Sequence, residues 1–153
     1  MDQKKTTDLE KILENVKTDQ FEDFQKTYRS EMIESGDSFV VYFREVLQEK
    51  HLTQQTVFIR ADVPERYGYK LLSGEKRTRQ RDVILRLLYA ADFTLDETQK
   101  FLRMYELPEL YAKIPRDALL MIIFREHTRN ILEINELLKG KGFDPLRTSG
   151  VQD

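Results

Sequence analysis

The chain has 153 residues, 40% hydrophobic and 34% charged, with a net charge of −2. That length fits one domain, or one domain with an appendage. With no Cys, disulfide frameworks and thiolate chemistry are excluded. No stretch reaches the ~18 consecutive apolar residues of a membrane helix.

Only six Gly and four Pro stand against many Leu, Glu, Lys and Arg, which predicts an all-α fold. The opening MDQKKTTDLE has no apolar run and predicts no signal peptide, so a soluble cytoplasmic protein is expected.

Thr7-Asp8-Leu9-Glu10 reads as a capping box, followed by Leu9, Ile12, Leu13 and Val16 at helical spacing. A second helix is predicted from Asp19 to Ile33, with Phe21, Phe24, Tyr28 and Met32 on one side and Gly36 as its break. Asp37 or Ser38 caps a helix to about Lys50, with Phe39, Phe43, Val46 and Leu47 inward. Thr53 caps a short helix to about Arg60.

After residues 61–63, Pro64 opens another short helix, which Ser73-Gly74 closes. Thr78 is the expected cap of the next helix, with Ile84, Leu87, Leu88 and Ala91 as its stripe. Thr94-Leu95-Asp96-Glu97 is a second capping box, opening a helix that buries Phe101, Leu102 and Tyr105 and stops at Pro108. Pro115 opens a helix through Phe124, and Asn130 caps a last one that ends at Gly140 and Gly142.

Residues 81–110 and 116–146 align as an internal repeat. Arg81-Asp82 matches Arg116-Asp117, Glu97 matches Glu133, and Leu110 matches Leu146. Two copies are too few for a solenoid, which predicts a stacked helical extension. The run ALLMIIF (118–124) is apolar on nearly every side, and is covered either by the chain's own N-terminal helices or by a second subunit.

Positive charge gathers in PERYGYKLLSGEKRTRQRD (64–82), which holds six Lys or Arg and three acids. Three short amphipathic helices between residues 38 and 74 have the spacing of a helix-turn-helix, whose last helix enters a major groove.

The stretch LTQQTVFIRADVPERYGYKLLSGEKRTRQRDVILRLLYAADFTLDE (52–97) resembles the lambda-repressor-like, or XRE-type, helix-turn-helix domain. Leu52-Thr53-Gln54 is similar to the family's Leu-Ser-Gln opening, and Ser73-Gly74 with the basic loop after it is similar to its closing Gly. The resemblance covers residues 38 to 105, about two fifths to one half of the chain. It implies that Gln54 touches a phosphate and that Glu65, Arg66, Tyr69 and Lys70 face base edges or nearby backbone. Lys76, Arg77 and Arg79 would hold the phosphate strand beyond.

Phe58 replaces the family's usual small Ala, which predicts looser packing, and Asp62 stands where Gly is frequent. Glu65 repels phosphate unless it meets a cytosine amino group. Gly68 costs roughly 1 kcal/mol relative to Ala in a helix, a cost that fits a close helix–helix approach.

The two His residues, His51 and His127, have no partner at metal-ligand spacing, and no nucleophile triad or phosphate loop is present. The expectation is a non-enzymatic chain without metal or cofactor. Its segments are 1–36 (N-terminal helices), 37–110 (helix-turn-helix domain), 111–146 (C-terminal hairpin) and a 147–153 tail.

The first reading is a sequence-specific regulator of transcription that binds double-stranded DNA as a homodimer on paired half-sites. The alternative is a helical adaptor that keeps the helix-turn-helix and binds a protein partner through the C-terminal hairpin or the N-terminal helices.

Overall fold

The computed structural model describes residues 6–29, 32 and 38–148, and the described residues are helical with no strand. They belong to two compact units that divide between residues 35 and 36.

In the first unit, α1 (Thr6–Leu13) is followed by a single 3-10 turn (Thr18–Gln20) and α2 (Phe21–Thr27). The helix expected to reach Ile33 ends at Thr27, where the Thr27 hydroxyl donates to the Asp23 carbonyl (2.8 Å). Phe24 is buried beside Tyr28 (ring centroids 5.0 Å), while Phe21 is exposed. The Thr7 capping box, the Gly36 break and the tail beyond residue 148 lie outside the described side chains and residues.

The second unit contains α3 (Ser38–Glu49), α4 (Gln54–Ala61), α5 (Glu65–Ser73), α6 (Arg81–Ala90), α7 (Leu95–Met104), α8 (Pro115–Glu126) and α9 (Ile131–Gly140). One apolar core runs through all seven. Its aromatic centre joins α3 to α7: Phe39 lies 4.6 Å from Tyr105 and Phe43 lies 5.5 Å from Phe93.

Three of the expected caps form, while the cap expected at Asp37 or Ser38 falls on Asp37, outside the described residues, since Ser38 is already helical. Thr53 accepts from the Thr56 amide, and Thr94/Glu97 and Asn130/Glu133 are complete reciprocal boxes. Thr78 is different. Helix α6 starts at Arg81, and the Thr78 hydroxyl instead accepts from the Gln80 amide (3.0 Å) in the preceding turn. Helix α7 ends before Pro108, because Glu106 takes a left-handed conformation (φ 66°) and the Leu107 amide returns to the Leu102 carbonyl (2.8 Å).

The sequence repeat is a pseudo-two-fold in space. Arg81 pairs with Asp117 (Nη1–Oδ2 3.1 Å), and Arg116 pairs bidentately with Asp82 (3.1 and 3.0 Å). Arg81 also donates to the Glu109 carbonyl (3.2 Å), and Arg116 to the Asp144 carbonyl (3.1 Å). Asp117 accepts from the Tyr111 amide and Asp82 from the Arg147 amide. Each hairpin thus supplies the carboxylate for the other's arginine.

Most of ALLMIIF turns into this core. Leu120, Ile123 and Phe124 are buried, Leu119 and Met121 pack at its edge, and Ile122 is exposed.

Candidate functional site

Helices α4 and α5 are joined by residues 62–64. Asp62 takes the left-handed conformation (φ 53°), which Asp enters at lower cost than most residues, so no Gly is needed there. The Val63 amide returns to the Phe58 carbonyl (3.1 Å) and closes α4.

Beneath the turn sits the buried Arg86. It donates from Nε to the Ala61 carbonyl (2.9 Å) and from Nη1 to the Leu146 carbonyl (3.0 Å). Burial pushes the Arg86 guanidinium below its ordinary range, against the pull of Asp62 and Asp82. The C-terminal strap and the turn between α4 and α5 are therefore tied through one side chain. No local pattern marks Arg86 for this, since it reads as one more residue of an apolar helix.

The packing of α4 on α5 is tight rather than loose. The buried Phe58 ring fills the space over Gly68, so the large residue on one helix is matched by the missing side chain on the other. Tyr69 sets its ring edge-on to Phe58, with centroids 4.8 Å apart.

The expected site residues separate into distinct environments. Glu65 and Arg66 are exposed in the first turn of α5. Glu65 is well placed there against the helix dipole, which is a structural reason for an acid at that position. Lys70 is half-buried in the last turn of α5. The side chains of Arg66, Lys70 and Arg79 make no hydrogen bond or ion pair with a described residue.

Lys76 lies over the Tyr67 ring (5.0 Å), with its amide on the Lys70 carbonyl. Arg77 is held by the fold. It donates to the Tyr105 carbonyl and lies over both Tyr105 (4.5 Å) and Phe39 (5.0 Å). Arg81 is engaged by Asp117, not by Asp82 or Glu75.

Two clefts flank the helix pair. One, of about 360 Å³, is lined by Arg44, Gln54, Tyr69, Leu72 and Ser73. It brings together two expected residues, Gln54 and Tyr69, with Arg44 of α3, which sequence reasoning passes over because it sits among ordinary surface charges. The other, of about 440 Å³, includes Gln55, Ile59, Asp62, Val63 and Glu65. Ile59 is 74% exposed there.

His127 ends α8 in the left-handed conformation and stacks on Tyr89 (4.1 Å), with its ring nitrogens on the Phe124 and Tyr89 carbonyls. It is a bracket between the two hairpins. Among the described residues no cluster of three or more His, Asp or Glu is placed to hold a metal ion. None of the helices they form is long and apolar enough to cross a membrane.

Searches against family models, curated proteins and solved structures find no match for this chain.

Proposed function

We propose that the chain is a sequence-specific DNA-binding regulator of transcription, built on a lambda-repressor-like helix-turn-helix in which α5 reads the major groove. The observation that carries this reading is the state of the cations on and after α5. Arg66, Lys70 and Arg79 stand on and just after α5 without an acidic partner, whereas Arg81, which follows them, is taken up by Asp117; Arg125, Lys113 and Lys139 are also without one, but they lie outside the helix pair. Unpaired cations gain by displacing condensed counterions from phosphate, and an arginine can bond guanine bidentately. Paired half-sites would be read by a homodimer. Ile122 of α8 and Ile114, the extended residue just before it, are 53% and 48% exposed and offer a second copy apolar contacts outside α5.

Fluorescence anisotropy with a pool of labelled duplex fragments tests the reading. Binding is expected to weaken steeply with salt, with a log–log slope of about −0.9 per phosphate neutralised. Folded protein that binds no duplex at low salt would rule it out.

Ile59 favours a second reading, an adaptor that keeps this helix pair and binds protein. An exposed isoleucine beside Asp62 and Glu65 suits a basic, apolar peptide better than a phosphate strand. On that reading Ile59→Lys abolishes partner binding, and competing duplex DNA has no effect.

A further inference from the structure

We propose that the cleft between α3, α4 and α5 seats one backbone phosphate of the bound DNA, with Arg44 as its charged donor and Gln54 and Tyr69 as neutral donors. The inference rests on the DNA-binding reading and adds to it a residue and a division of labour.

Arg44 is exposed and has no acid or carbonyl partner among the described residues, although Glu45 and Glu49 share its helix. Its cleft is walled by Gln54 from the start of α4 and by Tyr69 and Ser73 from α5. Three helices therefore bring a residue with a cation, one with an amide and one with a phenol to the walls of one space of about 360 Å³.

None of these donors has to be released from another role. The Gln54 side-chain amide and the Tyr69 hydroxyl make no hydrogen bond with a described residue. The Tyr69 ring is held in place by Phe58, so its hydroxyl is positioned before any ligand arrives. Guanidinium donors suit a phosphate because two N–H groups can meet two oxygens at once. No carboxylate lines the cleft, in contrast to the one on the other side of the helix pair, where Asp62 and Glu65 stand.

Tyr69 then serves position rather than sequence. It belongs with the phosphate contacts, and base reading on α5 falls to Arg66 and Lys70. A contact of this kind also fixes how far α5 enters the groove, because the anchor sits on the same rigid core.

The test compares Arg44→Ala, Arg44→Lys and Tyr69→Phe with the unaltered full chain, on a preferred duplex and a scrambled one, across a salt series. Arg44→Ala should weaken both duplexes by roughly tenfold and make the salt slope shallower by about 0.9. Arg44→Lys should restore the slope and only part of the affinity. Tyr69→Phe should weaken both duplexes equally without touching the slope. Circular dichroism melting confirms that each variant is folded.

Unchanged affinity and slope in folded Arg44→Ala would overturn the phosphate seat while leaving the DNA reading intact. So would a changed sequence preference with an unchanged slope. An unaltered chain that binds no duplex removes both.

Discussion

The ring of Phe58 occupies the space in which a side chain at position 68 would have to begin. A Cβ on Gly68 would lie 2.3 Å from Phe58 Cε1 and 2.5 Å from its Cδ1. Gly68→Ala therefore forces a buried ring to move, even though alanine favours the helix by about 1 kcal/mol. Overpacking of this kind costs about 1–3 kcal/mol, so a net loss of stability is expected in urea melts. The double variant Phe58→Leu/Gly68→Ala should be more stable than the sum of its parts, because the smaller side chain vacates the contested space. A Gly68→Ala protein more stable than the unaltered chain would contradict the contact.

Asp117 is buried and depends on Arg81 and the Tyr111 amide. Arg81→Met should cost about 3–5 kcal/mol, since it leaves a buried carboxylate without its cation. Arg81→Met/Asp117→Leu should recover much of that, because neither charge remains to be compensated. Arg116→Met should cost somewhat less than Arg81→Met, because Asp82, its partner, is more exposed (14% against 2% for the two side chains). Equal stability of Arg81→Met and the unaltered chain would show that the exchanged pairs do not hold the hairpins together.

The cations of the basic segment should not respond alike. Arg66→Ala should reduce discrimination between a preferred site and a scrambled one, at a cost of about 1–3 kcal/mol on the preferred site alone. Arg79→Ala should weaken both equally and flatten the salt slope by about 0.9. Arg77→Ala should act first on stability, because its guanidinium is tied to the Tyr105 carbonyl and stacked on Phe39 and Tyr105. Thermal melting and anisotropy on the three variants separate these outcomes.

Glu97 makes acid stability a direct readout of the α3–α7 contact. Burial pushes its carboxyl up, but the Thr94 amide and Lys50 outweigh that and hold it below the usual carboxylate range. The unfolded chain then takes up its proton at higher pH than the folded one does. The contribution to stability is whole above the ordinary Glu pKa and is lost as pH falls through the folded value. Glu97→Gln should lower the urea midpoint at about pH 7, and the gap to the unaltered chain should close as the pH falls through the range in which the folded carboxyl takes up its proton.

Local chemistry was legible in the sequence because its partners are near in the chain. Thr53, Thr94 with Glu97, and Asn130 with Glu133 bond across three residues, and Gly74 ends α5 with φ 82°. The repeat was legible too, through its shared Arg-Asp starts. The destination of those charges was not. Adjacent residues on a helix point apart, so Arg81 could not serve Asp82, and only the two-fold packing of the hairpins decides that each arginine meets the other hairpin's acid.

The same holds for the left-handed helix ends at Asp62, Glu106 and His127, none of which is glycine. Their strain is offset by amides that return to the preceding turn and by packing beyond it. It holds as well for the basic segment. Composition placed six cations between residues 64 and 82, but whether each is available depends on what the fold brings beside it. Arg77 lies against rings 28 and 38 positions away in the chain, and Arg44 joins Gln54 and Tyr69 across three helices. A charge's sign belongs to its residue. Its partner, and so its freedom to meet a ligand, is a property of the packed core.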